Sequence, residues 1–579
     1  MRLHRARNKP TARQSQPLRA GVDLRHNGGR TNEIPASRSV EMGRTRLLVA
    51  GIVFAVGFMA VAGRLVDAMV IGPAMVEARE PSAAVVATAT REDIVDRNGL
   101  LLATSVVTKS LYANPSEILN VETATARLLS VLPDLNADAI RARLSLDRQF
   151  IWLERNLTPA QFLAVHRLGV PGFYFLDEPR RIYPQGSLTA HVVGFTDVDG
   201  HGLSGVEQTF DEFLLSGQGP LRLSIDLRVQ HILREELARG ADEFSAIGAS
   251  GVVMDVETGE VVAMVSLPDF DPNYPAEADE TSRFNRNTLG VYEMGSVFKV
   301  FNTAMMLEYG LVNVSSVFDA SRPLTIGRFT IRDFFAKHRP LNVAEILVYS
   351  SNIGSALMAR AAGSERQSAF MQALGMLERS PIELPEVGAP LVPSPWRDIN
   401  VLTIAFGHGL AVSPLQTVSG YAAVANGGVL VPATIVRQDD PAAIEGRRVI
   451  SEQVSDIMRR LMRLVVSESY GRANADGYLV GGKTGTAEKA AGRAGYDRNA
   501  RLSSFIGVFP MTAPRYVVLA TLDEPQGNQS THGYATGGWV SAPIVSRVVS
   551  RIGPMLGVMP VDEESAETAA AMQMAVAIQ

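Results

Sequence analysis

Five runs of apolar and β-branched residues in the second half of the chain predict β-strands, because each is short and bounded by turn-forming residues. The runs are Ser250–Val256, Glu260–Ser266, Tyr478–Ala487, Leu502–Val508 and Tyr516–Leu522. A helix-rich stretch, from about residue 297 to residue 425, separates the second run from the third. Strands at both ends with helices between them predict an α+β domain over residues 222–560, in which helices flank a central antiparallel sheet.

A different pattern occupies residues 75–221. Residues 91–103 alternate apolar and polar positions around Asn98-Gly99, which predicts a hairpin. Leucines at helical spacing follow over residues 121–171, and proline and glycine interrupt the remainder. This mixture predicts a separate, elongated module of mixed α/β structure.

The N-terminal part combines a basic tail with an apolar segment. Residues 1–46 contain eleven Lys or Arg residues and three acidic residues, which indicates a disordered tail. The uninterrupted apolar run Leu47–Gly63 follows, and apolar residues continue beyond Arg64. We therefore expect a single transmembrane helix over residues 47–68, with the basic N terminus in the cytoplasm and the rest of the chain outside that membrane.

Two alternatives to an anchor remain open at this point. A cleaved signal peptide has a shorter apolar core and small residues at its cleavage site, and Arg64-Leu65-Val66 is a poor cleavage site. A buried core helix would be unusual directly after a long basic tail. At the other end of the chain, residues 561–579 are acidic and rich in alanine, so we expect a disordered, solvated tail.

Composition narrows the possible chemistry. The chain has 579 residues, 46% of them hydrophobic, and a net charge of -5 that gives no reason to expect a nucleic-acid partner. It has no cysteine, which excludes disulfides, thiolate metal sites and a cysteine nucleophile, and its nine histidines form no metal-binding motif. Only six of the 55 basic residues are lysines. Since lysine can act as a base and arginine cannot, each retained lysine deserves inspection.

Three short motifs contain candidate reacting groups. Ser296 and Lys299 are three residues apart, so on a helix the amine can reach the hydroxyl and activate it as a nucleophile. Ser350 and Asn352 form an S-x-N element, which suits proton relay and peptide binding but equally suits a helix N-cap. The third motif lies on a predicted strand, where glycines allow a substrate backbone to lie alongside; its residues are Lys483, Thr484, Gly485 and Thr486.

Each motif alone is weak, but S-x-x-K, S-x-N and K-T-G in this order form the set found in penicillin-binding proteins and serine β-lactamases. Further blocks extend the resemblance to class B penicillin-binding proteins over nearly the whole chain beyond the tail: the DRNG segment of residues 91–103, Arg181–Pro184, Ala190–Phe195, Gly205–Glu207, Leu223–Asp226 and Phe406–Gly409. Met294 and His408 depart from that family's usual proline and tyrosine.

The resemblance implies a peptidoglycan D,D-transpeptidase in the bacterial inner membrane, with a non-catalytic pedestal at residues 75–221 and a periplasmic catalytic domain. Residues 194–219 most resemble the septal type, with the elongation type as the close alternative. The implied substrates are stem peptides from lipid-linked precursors, and β-lactams are implied inhibitors. A polytopic glycosyltransferase of the FtsW type and other cell-division proteins are implied partners, and no metal or organic cofactor is needed.

The family pattern also implies a role for each site residue. Ser296 is the nucleophile, Lys299 its base and Ser350 a proton relay. Asn352 binds the donor peptide, and Lys483 and Thr484 bind its terminal carboxylate. The backbone N–H groups of Ser296 and Thr486 form the oxyanion hole. The rival interpretations are a β-lactamase, a β-lactam sensor and a division scaffold without enzymatic activity.

Overall fold

The computed structural model describes residue 49 and residues 51–62, 91–327, 329–468, 471–490, 496–574 and 578. The chain divides into two compact units, residues 1–86 and 87–579. In the first unit, residues 51–62 are helical with exposed side chains, while the predicted basic tail and the other residues of the expected anchor lie outside the described part, except residue 49. Among the described residues, no helix combines the length and the hydropathy required to cross a bilayer.

The pedestal is built on a five-stranded sheet. Its strands are β1 (Ile94–Val95), β2 (Leu101–Ala113), β3 (Ile151–Leu157), β4 (Phe173–Ile182) and β5 (Leu221–Arg222). The long strand β2 pairs antiparallel with β1, β3 and β4, and β5 joins β1 in parallel. The predicted hairpin is confirmed, because β1 and β2 are consecutive antiparallel strands and Gly99 in the turn has a φ of 85°.

Helices lie between the strands of this sheet along the chain. They are α1 (Val121–Val131), α2 (Ala137–Leu144) and α3 (Pro159–Arg167), followed by the short helices α4 (Ala190–Val193), α5 (Gly205–Thr209) and α6 (Asp211–Leu214). The first three begin at Asn120, Asn136 and Thr158, whose side chains accept a backbone N–H of the first turn. Their apolar faces pack with the buried Leu111 and Ala113 of β2.

Three distant sequence blocks of the pedestal meet in one buried ion cluster. The Glu207 carboxylate is fully buried and accepts from Arg91 Nε at 2.5 Å and from Arg181 Nε at 2.7 Å. Arg91 also binds Asp211 at 2.7 Å. Because buried charges require partners, this cluster fixes β4, α5 and the start of the sheet relative to one another.

The residues of the hairpin turn also connect the pedestal to the following domain. Asp96 accepts the backbone N–H of Asn98 and Leu100 within the turn and that of Leu227 in the catalytic domain. The neighbouring Arg97 binds the buried carboxylate of Glu260 at 2.8 Å. The DRNG segment therefore joins the two domains as well as forming a turn.

The described residues of the catalytic domain form eleven strands. They are β6 (Gly248–Asp255), β7 (Val261–Leu267), β8 (Val317–Asp319), β9 (Leu324–Ile326), β10 (Phe329–Ile331), β11 (Pro340–Asn342), β12 (Val429–Leu430), β13 (Arg447–Arg448), β14 (Gly481–Ala490), β15 (Tyr496–Phe509) and β16 (Tyr516–Asp523). Five of them form a central antiparallel sheet, as the sequence predicts, and their order is β14-β15-β16-β6-β7. The others form two-stranded ribbons, β8 with β11, β9 with β10, and β12 with β13.

Helices flank this sheet on both faces. They are α7 (Leu227–Glu243), α8 (Glu280–Arg283), α9 (Phe298–Glu308), α10 (Val343–Val348), α11 (Asn352–Ala373), α12 (Asp398–Ile404), α13 (Pro414–Ala425), α14 (Glu452–Glu468), α15 (Gly537–Val540), α16 (Ala542–Met555) and α17 (Ala566–Met572). Val253 of β6 packs with α7 and α16, whereas its neighbours Val252 and Met254 pack with α13. Successive side chains thus enter opposite cores, which is why the three consecutive residues 252–254 are all apolar.

The C-terminal segment differs from the disordered tail that its composition predicts. Residues 566–572 form α17, which begins at the N-cap Ser565. Glu563 binds Arg463 of α14 at 3.1 Å and accepts the backbone N–H of Gly477. Alanine favours helix, and the N-cap and the ion pair attach the segment to the domain, so an alanine-rich acidic composition was a misleading indicator here.

Glu207→Ala should destabilise the protein strongly, because it leaves two buried guanidinium groups without their carboxylate. The expected loss is about 3–5 kcal/mol in the free energy of unfolding. Urea denaturation followed by circular dichroism measures it. Asp138→Ala, which removes an exposed partner of Arg141, is the matched control and should leave the curve unchanged. Equal curves for both variants would contradict a stabilising role for the buried cluster.

Candidate active site

Ser296 lies in a tight turn at the start of α9. Residues Gly295–Val297 form a 3₁₀ turn that leads directly into the helix. The Gly295 N–H donates to Gly407 O at 3.1 Å, and the Tyr421 hydroxyl donates to Val297 O at 2.8 Å. Both bonds come from distant parts of the chain, so the turn carrying the hydroxyl is held from two sides.

Glycine is required where three segments meet at this turn. Gly295 has a φ of +60°, and a Cβ there would lie 2.8 Å from Thr486 O. A Cβ on Gly407, whose φ is +85°, would lie 2.0 Å from Gly295 O, and one on Gly485 would lie 2.8 Å from Met294 O. No ordinary side chain fits at these distances, so the edge strand β14 can approach the nucleophile closely only with glycine at these positions.

The Lys299 amine is the centre of the site. It is fully buried, and its Nζ lies 2.6 Å from Ser296 Oγ, 3.1 Å from Ser350 Oγ and 2.8 Å from Asn352 Oδ1. Burial holds the pKa of Lys299 well below its ordinary value, and the charge of Lys483 lowers this pKa further, against a smaller opposing effect of Asp333. A neutral amine can donate to Asn352 and Ser350 and still accept the proton of Ser296.

The S-x-N element combines a helix N-cap with two side chains that contact Lys299. Its middle residue, Ser351, is the N-cap of α11 and accepts the backbone N–H of Gly354. The flanking Ser350 and Asn352 both contact Lys299. Ser350 has a φ of 56°, a left-handed conformation that is uncommon for serine. The cap thus sets the backbone from which the two functional side chains reach the amine.

Asp333, which belongs to none of the three motifs, supports this element from outside. One of its carboxylate oxygens accepts from the Ser351 hydroxyl at 2.7 Å and the other accepts from the Ile353 N–H at 2.9 Å. The preceding carbonyl, Arg332 O, accepts from Asn352 Nδ2 at 3.0 Å. The segment between β10 and β11 therefore orients Asn352, and no local pattern in the sequence signals this long-range contact.

The K-T-G residues lie on β14, an edge strand of the central sheet. This strand lies beside the 3₁₀ turn of residues 295–297, here called the nucleophile turn. The Lys483 side chain is 1% exposed, and its Nζ lies 3.2 Å from Thr484 Oγ1. Burial lowers the pKa of Lys483 to about 7. Thr486 accepts the backbone N–H of Gly537 at 3.1 Å. A buried cation beside a threonine hydroxyl suits an anionic ligand, whose charge would favour the protonated lysine.

A second cluster of titratable side chains, which includes Glu293 and His408, lies near Lys299. Glu293 accepts the Gly409 N–H at 2.7 Å and the Tyr496 hydroxyl at 3.1 Å. The His408 ring packs against that of Tyr496, with the ring centres 5.5 Å apart. Burial lowers the pKa of His408, partly opposed by Glu293. The unusual His408 thus occupies an aromatic wall of the site, and Glu293 is a further residue that the motifs did not reveal.

All eight site residues predicted from the sequence lie on the nucleophile turn, α9, the start of α11 and the adjacent β14. Within the described ranges, no group of three or more His, Asp or Glu side chains could hold a metal ion. The arrangement provides the Ser296 hydroxyl, the buried Lys299 amine and the second buried amine of Lys483. These are the groups that a serine acyl-transfer site requires.

Comparison with known proteins identifies the family. The penicillin binding protein transpeptidase domain matches residues 249–550, and the penicillin-binding protein dimerisation domain matches residues 86–226. The chain belongs to the class B penicillin-binding proteins. The pedestal of this class B protein corresponds to the dimerisation domain.

Relatives of this class B penicillin-binding protein are named as peptidoglycan D,D-transpeptidases. The probable peptidoglycan D,D-transpeptidase FtsI of Caulobacter vibrioides is 41% identical, over 81% of this chain and 82% of its own. The peptidoglycan D,D-transpeptidase FtsI of Escherichia coli is 31% identical, over 89% of this chain and 92% of its own. The crystal structure of penicillin binding protein 3 from Mycobacterium tuberculosis complexed with aztreonam is 25% identical, with a TM-score of 0.65 over 82% of this chain and 98% of that one.

Acylation by an anionic β-lactam should decline as the pH rises above about 7. The Lys483 cation is present below its pKa of about 7 and is lost above it, so the attraction for the ligand carboxylate falls. Stopped-flow measurement of the second-order rate constant between pH 6 and pH 9 tests this. Lys483→Arg retains its charge at every pH in that range, so its profile should lose the decline even if all its rates are lower. The same decline in the arginine variant would assign it to another group.

Asp333→Ala should slow acylation of Ser296 about tenfold, because the start of α11 loses two hydrogen bonds worth about 1 kcal/mol each. Asp333→Asn keeps one acceptor oxygen and should recover part of the rate. The exposed Asp319, on the neighbouring strand β8, supplies the control Asp319→Ala, for which an unchanged rate is expected. Wild-type rates in Asp333→Ala would show that Asn352 does not depend on this support.

Proposed function

We propose that this protein is a septal peptidoglycan D,D-transpeptidase that cross-links stem peptides through an acyl-enzyme on Ser296. The observation that carries the proposal is the buried Lys299 amine, which lies within hydrogen-bond distance of Ser296, Ser350 and Asn352 at the same time. Membership of the class B family supports the reaction, and the names of the FtsI relatives support the septal role over the elongation role.

Acylation begins when Ser296 Oγ attacks the carbonyl between two terminal D-alanines. Lys299, kept neutral by burial, takes the hydroxyl proton. The C–N bond then breaks, and the leaving D-alanine takes a proton from Lys299 through Ser350, whose Oγ lies 3.1 Å from the amine. The product is an ester on Ser296, and the amine is neutral again.

The second half-reaction reverses these proton movements. A side-chain amine of a neighbouring stem attacks the ester carbon, the C–Oγ bond breaks and a new C–N bond forms. Lys299 accepts the proton released by the amine, and Ser296 Oγ receives one back. Water in place of the amine would give hydrolysis without a cross-link.

Binding of the donor is assigned to the remaining residues. Asn352 Nδ2 is held by Arg332 O and its Oδ1 by Lys299, so the amide is oriented before the peptide arrives. Lys483 and Thr484 take the terminal carboxylate. The Ser296 and Thr486 N–H groups are the proposed oxyanion hole, which is supported by the close approach of Thr486 to Gly295.

The proposal extends to location and partners. Residues 47–68 anchor the chain in the inner membrane, the N terminus is cytoplasmic and the catalytic domain is periplasmic. An FtsW-type glycosyltransferase supplies the glycan strands, and it is contacted through the anchor and the pedestal along with other division proteins. The apolar run Leu47–Gly63 and its basic flank support this arrangement.

Intact mass after exposure to penicillin tests the nucleophile. The full chain should gain one stable penicilloyl adduct, and Ser296→Ala should gain none. Ser550→Ala, which changes an exposed serine of α16, is the control and should keep the adduct. Rapid drug turnover without a lasting adduct would indicate a β-lactamase. No reaction in the wild-type chain would favour a scaffold without activity.

A further inference from the structure

The segment of residues 332–339, here called the acceptor loop, connects β10 to β11 and borders the catalytic site. Its first residue presents Arg332 O to Asn352, and Asp333 accepts from Ser351 and from the start of α11. The loop is therefore attached directly to the residues that hold the donor peptide. A ligand bound to the outer surface of this loop would therefore lie beside the acyl ester that the proposed reaction forms on Ser296.

Two neighbouring phenylalanines project from this loop into solvent. Phe334 is 72% exposed and Phe335 is 67% exposed, more than any other phenylalanine described between residues 91 and 574. Their rings contact each other edge to face, with the centres 4.8 Å apart. Exposed paired aromatics next to a catalytic site are unfavourable in water unless they bind something, so they indicate a contact surface.

The remainder of the loop is basic. It reads Arg-Asp-Phe-Phe-Ala-Lys-His-Arg, and its single acidic residue, Asp333, is engaged at the start of α11. Lys337 is exposed, with its ammonium 4.0 Å from the centre of the Tyr349 ring. Arg332 is exposed as well. The surface thus combines an aromatic pair with positive charge, which complements an acidic ligand that has apolar parts.

We infer that the acceptor loop binds the second substrate of the reaction, an acidic peptide that carries a free side-chain amine. This inference rests on the proposed function, which requires two peptides and assigns the known motifs to only one of them. The acceptor's carboxylates would face Lys337 and Arg332, and its apolar groups would cover Phe334 and Phe335. Its amine would then reach the acyl ester, since the loop itself contacts Asn352.

Partition of the acyl-enzyme between water and an added amine separates acceptor binding from acylation. The full chain in detergent micelles is acylated with a thioester donor that ends in a D-alanine analogue, and the ratio of aminolysis to hydrolysis is measured. One acceptor is an acidic peptide with a side-chain amine, and the other is the same peptide with its carboxylates amidated. The variants are Phe334→Ser with Phe335→Ser, and Lys337→Glu.

The double phenylalanine variant should acylate at the wild-type rate but lose about tenfold in the aminolysis ratio for both acceptors. Lys337→Glu should lower the ratio of aminolysis to hydrolysis only for the acidic acceptor, because the substitution changes the charge that attracts the carboxylates of that peptide. Tyr274→Ser and Arg148→Glu, changes at exposed positions outside the loop, are the matched controls and should retain the wild-type ratio. Unchanged ratios in both loop variants would overturn the inference. A wild-type chain that is never acylated would instead refute the proposed function.

An anionic lipid surface is the other ligand that basic and aromatic residues can bind. Labelling of Lys337 by an amine-reactive reagent, located by peptide mass mapping, distinguishes the two. Protection by the acidic peptide in micelles is the expected result. Protection of Lys337 in nanodiscs of phosphatidylglycerol but not phosphatidylcholine, without any peptide, would assign the loop to the membrane and overturn the inference.

Discussion

Two amines are buried in this site, and among the residues that the structure describes no carboxylate forms an ion pair with either of them. Lys299 is surrounded by two hydroxyl oxygens and an amide oxygen, and Lys483 by the polar atoms of Thr484. Removing an ammonium group from water without a counter-charge is costly, so burial favours the neutral amine. The close packing around the nucleophile turn contributes to this burial.

The difference between the two lysines separates their roles. Lys299 has oxygens on three sides at distances suited to a neutral base, and Asp333 influences it only from beyond hydrogen-bond distance. Lys483, with a pKa of about 7, changes its charge easily when an anion arrives. One amine is therefore suited to moving protons, and the other to meeting the charge of a substrate. The charge of Lys483 lowers the pKa of Lys299 further, since like charges repel.

The local sequence was sufficient to predict the features that depend on neighbouring residues, such as a helical turn or a buried strand. The S-x-x-K spacing depends on one helical turn, and the strands around Val253 and Val518 have the composition of buried strands, so both were predictable. Asp333 was not, because its contact with Ser351 depends on how two small ribbons fold back. The strand β3 lay hidden among leucines at helical spacing, and α17 among residues whose acidity suggested solvent. Long-range packing decided the first case, and in the second the N-cap and the ion pair with Arg463 outweighed the acidic composition.

The contact between Gly407 and Gly295 limits how this protein can evolve. A methyl group at Gly407 would overlap the carbonyl of Gly295, and one at Gly295 would press on β14. A lineage under selection by β-lactams therefore cannot reshape the nucleophile turn one side chain at a time without also damaging its own reaction.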